Sequence, residues 1–156
     1  MDRLITDISD SSRLDAELAR SHWEELDLRS LAADVIALQE QVEDTLATFV
    51  LEPKEAPRVG FAVLGAETRL GQVLVNLITN AQSFSPDGGI IRVGLTRERG
   101  WITLVVEDQG PGIPEDRLTK IFSRFYTDRP EQDSFGRYSG LGLSISQQII
   151  DDHGGV

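Results

Sequence analysis

Residues Glu67 to Phe84 read ETRLGQVLVNLITNAQSF, and their spacing decides how the rest of the chain is read. Leu70, Val73, Leu74, Leu77, Ala81 and Phe84 recur at helical intervals, which predicts an amphipathic helix that lays this stripe on a sheet. A second line of Gln72, Asn76 and Asn80 runs beside it at steps of four residues. Asparagine is a mediocre helix former because its amide competes for backbone hydrogen bonds, so two in one helix require a reason. On this helix alone, a solvated polar face explains the line as well as a binding face does.

The chain has 156 residues, 40% of them hydrophobic, enough for one domain with its own core plus an appendage. It has no cysteine, so neither a disulfide framework nor a thiolate metal site supports it. No apolar run is long enough to span a bilayer, and no basic segment precedes an apolar core near Met1. Neither a membrane span nor a secretory signal is therefore expected. A formal net charge of -11 argues against nucleic acid, whose phosphates are met by clusters of Lys and Arg. A single nucleotide remains admissible, because backbone N–H groups at a helix start can hold phosphate and a metal can neutralise the rest.

Met1 to about Arg20 is expected to form a long helix with a narrow apolar face of Met1, Leu4, Ile5 and Ile8. It would be half of a helical hairpin, or else a terminal helix docked on the domain. Ser21 to Leu26 is expected to be a joint, in which His22 beside Glu24 and Glu25 reads as a solvated side chain. Asp27 then caps a helix running to about Val42 through Leu28, Leu31, Val35 and Leu38, with Leu26 and Leu31 placed for a hydrophobic staple. Thr48 to Leu51 and Arg58 to Leu64 are predicted strands, separated by a loop with Pro53 and Pro57. After the organising helix, SPDGG at 85–89 is a turn, and Ile90 to Arg97 with Trp101 to Glu107 forms a β-hairpin. A short helix and a polar segment from Thr127 to Ser139 follow. A last helix begins after Gly140, buries Ile145, Ile149 and Ile150, and ends at His153, Gly154 and Gly155.

Two stretches carry the chemistry. Asp108 ends a strand and is followed by Gly110 and Gly112, which let a ligand approach the backbone. A carboxylate there accepts a hydrogen bond from the exocyclic amine of adenine, whereas guanine would face it with a carbonyl oxygen. Asp and Gly also build ordinary turns. SGLGLSISQQII, at 139–150, is a glycine-flanked entry to a helix, where free N–H groups and the positive dipole end can hold phosphate. A tight helix start without a ligand has the same pattern.

In order, NLITNA at 76–81, DQGPGI at 108–113, IFSRFY at 121–126 and GLGLSI at 140–145 resemble the N, G1, F and G2 boxes of sensor histidine kinases. These belong to the wider gyrase, Hsp90, kinase and MutL ATPase superfamily, and the likeness, which extends to the ChvG type of sensor kinase, covers about Leu26 to Val156. The resemblance implies an α+β fold, a two-layer α/β sandwich of the Bergerat type with a mixed sheet, preceded by one long N-terminal helix. RLDAEL at 13–18 looks like part of the family's hairpin, so residues 1–22 would be the end of a dimerisation and phosphoacceptor hairpin. Residues 23–156 would be the catalytic and ATP-binding domain, lacking the family's final strands and so left with an exposed sheet edge.

The resemblance further implies that Asn80 gives its amide oxygen to Mg and that Asn76 helps hold the phosphates of ATP. Asp108 would read adenine with Gly110, Gly112 and Ile113 around it, and Phe84 would wall the base. Phe122 and Phe125 would anchor a lid, and Leu141, Gly142 and Leu143 would lie along the phosphates. Implied partners are the dimerisation and phosphoacceptor hairpin of a parent kinase and a response regulator receiver domain. Residues 1–20 are a candidate homodimer contact. Nucleic acid and membrane contact are not expected, and the segment would lie in the cytoplasm with its parent anchored in the inner membrane.

The chain departs from the family at named positions. Ser83 stands where the family often has Lys or Arg, and Arg124, Arg129 or Arg137 would have to replace it. Ala66 stands where an Asp commonly caps the organising helix. Neither His22 nor His153 sits in a phosphoacceptor box, so the nucleophile is expected on another helix. Hydrolases of the superfamily carry a glutamate four residues before the metal-binding Asn; that position is Asn76, and an amide is no general base. The alternatives are such an ATP hydrolase, against which Asn76 argues, and a nucleotide-binding interaction module without phosphotransfer.

Overall fold

The structure is a computed structural model that describes residues 22–42, 46–54, 58–126 and 140–156. Their elements run β1 (Glu24–Asp27), α1 (Leu28–Glu40), β2 (Thr48–Glu52), β3 (Ala62–Gly65), α2 (Glu67–Phe84), β4 (Ile90–Glu98), β5 (Trp101–Glu107) and α3 (Gly142–Asp152). The expected helix over 1–20 and the polar segment Thr127 to Ser139, with Arg129 and Arg137, lie outside the described residues.

The main sheet has the order β2-β4-β5, with β2 parallel and β5 antiparallel to β4, so it is mixed as expected. Alternation along β4 buries Ile91, Val93 and Leu95. Helices cover that face. Ala32, Val35 and Ile36 of α1 and Leu74 and Ile78 of α2 form one cluster with Val93, joined by Phe49, Leu51, Leu104 and Val106 of the neighbouring strands. This is the two-layer α+β arrangement.

A second cluster sets α3 in place. Ile149 of α3 packs with Leu70 and Val73 of α2, and Leu26, Leu31 and Val63 close over them. Asp27 caps α1 by accepting from the Ser30 N–H at 2.8 Å, and its other oxygen accepts from Phe61 N–H at 3.1 Å. The Ser30 backbone bond is the main reason its carboxyl is held below the usual carboxylate range; the Phe61 bond adds to this, and partial burial opposes it.

Several local expectations are corrected. The joint contains β1, which pairs antiparallel with β3, forming a two-stranded ribbon apart from the main sheet. The expected strand Arg58 to Leu64 shortens to Ala62–Gly65, because Gly60 and Phe61 direct their carbonyls to Arg97 and Leu28. On α2 Ile78, outside the expected stripe, is fully buried beside Leu74, while Phe84 is 44% exposed where the helix ends and Ser85 turns extended. On α1 the apolar face shifts to Ala32 and Ile36, and Leu38 is exposed in the last turn. The short helix after Asp108 is two 3-10 turns, Glu115–Arg117 and Lys120–Phe122.

Candidate functional site

The polar line of α2 meets α3 at Asn76. Its Nδ2 donates to the Gly142 carbonyl at 3.1 Å and to Ser146 Oγ at 3.2 Å. Gly142 opens α3, and a Cβ there would make an ordinary contact of 3.6 Å with the Asn76 side chain. Leu141, the residue before it, is buried and makes no side-chain cap, so the first-turn N–H groups of α3 lack that partner. Asn80 lies one turn further along α2, about 6 Å, and Phe84 another turn beyond.

At the Phe84 end, the loop after β5 closes on α2. Gly110 N–H donates to Asp108 Oδ1 at 2.7 Å, which orients the carboxylate. A Cβ on Gly110 would stand 2.8 Å from the Phe84 carbonyl oxygen, so the close approach of loop and helix requires glycine. Gln109 Oε1 accepts from Ile90 N–H at 2.8 Å, fixing the loop to the start of β4. Asp108, Gly110, Gly112 and Ile113 line an open cavity of about 510 Å³ that also takes in Ile90 and Leu118. Asn76, Asn80, Phe84 and Leu141 to Leu143 do not line that cavity, so the predicted residues form two groups, with Phe84 reaching the second only through the contact of its backbone with the Gly110 loop.

The F stretch and the entry to α3 meet directly. Phe125 N–H donates to the Gly140 carbonyl at 3.0 Å, and Gly140 has φ 71°, with no room for a side chain against Phe125 and Tyr126. Phe122 and Phe125 are both exposed.

Asn80 offers an amide oxygen, the hard donor that Mg prefers. Among the described residues no group of three or more His, Cys, Asp or Glu side chains is placed to hold a metal. A hard cation taking one protein oxygen and completing its shell with water and phosphate fits this donor set.

Sequence reasoning missed Ser146 and the contact that His153 makes. Ser146 is 5% exposed and recurs four residues after Gly142 on the same face, a signal that was available. His153 accepts a hydrogen bond from Ala66 N–H at 3.0 Å, a contact across 87 residues that nothing local announces.

Residues 65–156 match the family model for the histidine kinase-, DNA gyrase B- and HSP90-like ATPases. The whole chain aligns with sensor protein ChvG of Rhizobium meliloti (strain 1021) at 51% identity, covering 28% of that protein. Nearly all of it, 99%, aligns with ChvG of Agrobacterium fabrum at 46% identity, covering 27% of that protein. The chain thus spans under a third of the length of these relatives. Among solved structures, the catalytic domain of histidine kinase ThkA superposes with a TM-score of 0.70 at 32% identity, over 85% of this chain and 82% of that one. The mycobacterial sensor histidine kinase MprB gives 0.67 at 30% identity, over 85% and 81%. The family model, the fold and the alignment along the whole of this chain agree, and the chain belongs to the histidine kinase-, DNA gyrase B- and HSP90-like ATPase family as the catalytic domain of a sensor histidine kinase.

Proposed function

We propose that this domain binds ATP with Mg along the Asn76, Asn80 and Phe84 face of α2, and presents the γ-phosphate to a histidine on a separate dimerisation helix. The observation that carries the reading is that α2 is met at Asn76 by the glycine start of α3 and at Phe84 by the Asp108 loop. The span between these two contacts is eight residues, about 12 Å of helix, on the scale of an extended nucleoside triphosphate.

Each group then has a role. Asp108, with Oδ1 fixed by Gly110, would offer Oδ2 to the adenine amine, with Gly112 and Ile113 around the base and Phe84 as its wall. The first-turn N–H groups of α3, at Gly142 and Leu143, have no side-chain cap and would hold the phosphates beside Leu141. Asn80 would hold Mg, which when bound neutralises charge on the phosphates. Catalysis by these residues is positioning and charge stabilisation, since phosphoryl transfer leaves the protein little covalent work.

Water activation is disfavoured, because Asn76 cannot act as a base and its amide nitrogen is committed to Gly142 and Ser146. His153 is unsuited as an acceptor, because both its ring nitrogens face backbone partners. The acceptor is therefore assigned to a parent dimerisation hairpin, from which a response regulator receiver domain would take the phosphoryl group. Residues 1–22 would belong to that hairpin and residues 23–156 to the catalytic domain, on the cytoplasmic side of a membrane-anchored parent. The test is transfer from radiolabelled ATP to the supplied hairpin. Label that appears on the hairpin and survives alkali but not acid is expected; absence of label with ATP bound would contradict the kinase reading.

A further inference from the structure

His153 closes α3 against the start of α2. Its Nε2 accepts from Ala66 N–H at 3.0 Å, and its Nδ1 lies 2.7 Å from the Ile149 carbonyl. A backbone N–H only donates and a carbonyl only accepts, so these partners require the neutral ring with its proton on Nδ1. Ala66 is the N-cap of α2, 3% exposed, and makes no side-chain cap. In a capping box the third helical residue reaches back to the N-cap N–H. Here that residue is Arg69, which instead approaches Asp152 of α3 at 4.0 Å, and His153 takes the N–H from another helix. Gly65 makes room for this: a Cβ there would stand 2.9 Å from the imidazole and 2.8 Å from Leu70.

The two helices are antiparallel, since the end of α3 meets the start of α2 while Gly142 meets Asn76. From Ala66 to Asn76 is ten residues, about 15 Å of helix, and α3 is of similar length. A short helix held at both ends cannot shift at one without shifting at the other. The imidazole also stacks on the Trp23 indole, with centroids 4.6 Å apart and planes at 14°. Trp23 stands directly before β1, and the next residue, Glu24, pairs with Gly65.

We propose that His153 is a positioning residue for the phosphate end of the nucleotide site, and that the chain entering at Trp23 acts through it to set how Gly142 sits against Asn76. The inference rests on the ATP reading above for its functional consequence, and on the Trp23, His153 and Ala66 contacts for its mechanics. It supplies a route by which movement of the preceding segment alters nucleotide affinity without touching the nucleotide.

The test has two arms on the full chain. Without nucleotide, nitrogen-15 NMR should report the Nδ1–H tautomer, and Trp23→Ala should shift the Gly142 amide and the Asn76 side-chain amide. An Nε2–H tautomer, or no shift at these distant groups, overturns the proposal whatever ATP does. Those shifts together with no ATP binding by the unchanged chain would sustain the mechanical link and refute the nucleotide reading instead. With ATP, His153→Gln, whose amide oxygen can take the place of Nε2, should stay within about twofold of the unchanged affinity. His153→Asn, which mimics only Nδ1, and His153→Ala should lose about fivefold, the scale of one hydrogen bond. Equal affinities for the Gln and Asn variants, both folded, would overturn the proposal.

Discussion

Removing the Asn76 amide separates a tether from a ligand contact. Asn76→Ala deletes the bonds to the Gly142 carbonyl and the Ser146 hydroxyl, at 3.1 and 3.2 Å. A net hydrogen bond contributes about 0.5–1.5 kcal/mol, and unpaired buried partners cost more. Ser146 can recover part of this by turning its hydroxyl to the Gly142 carbonyl one turn back. The expected loss is therefore about 1–2 kcal/mol of folding stability, or roughly 3–6 °C in Tm for a domain of this size. Asn76→Asp has the same shape but sets a carboxylate oxygen against a carbonyl, and about 2–3 kcal/mol is expected. The assay is urea unfolding without nucleotide, read as a fall in midpoint at constant slope. An Asn76→Ala midpoint equal to that of the unchanged chain, with ATP affinity nonetheless reduced, would refute the tether and leave Asn76 acting on the ligand alone.

Other substitutions test other joints. Gly110→Ala places a methyl 2.8 Å from the Phe84 carbonyl and 2.7 Å from Asp108 Oδ1, so the loop must move and ATP should bind about tenfold or more weakly; unchanged affinity by calorimetry would contradict the close approach. Asp27→Ala should cost about 1–2 kcal/mol through the lost Ser30 and Phe61 bonds, with Asp27→Asn retaining most of it. Because the Asp27 carboxyl is depressed in the folded chain, its contribution is full above about pH 4 and fades as pH falls through the lower folded value. The stability gap between the unchanged chain and Asp27→Ala should thus narrow in acid by the part that depends on charge, the neutral carboxyl still accepting as the Asn amide does, and a gap that widens as pH falls in urea titrations would count against the cap.

Legibility followed the range of the interactions. The stripe Leu70, Val73, Leu74 and Ala81 was readable because helical periodicity is local, and each of these residues is buried. Phe84 misled because periodicity does not show where the supporting sheet stops, and Ile78 took its place in the core. The hairpin of β4 and β5 was readable from two apolar runs about Glu98 to Gly100. β1, with the sequence EELD, was not: four residues of low strand propensity become a strand only by pairing with Ala62–Gly65, some forty residues away. Of the N, G1, F and G2 stretches, what was legible is glycine at 110 and 140, which the backbone itself demands there. What the sequence did not carry was their mutual bonding: Asn76 to Ser146 and His153 to Ala66 join residues 70 and 87 positions apart.

The most direct measurement is calorimetric titration of the chain with ATP, with and without Mg, beside GTP and the variants Asn80→Ala and Asp108→Asn. The account predicts ATP binding strengthened by Mg, rejection of GTP, loss of the Mg effect in Asn80→Ala and weakened adenine discrimination in Asp108→Asn. Folded protein that binds no nucleotide, or that binds GTP as well as ATP, would contradict it.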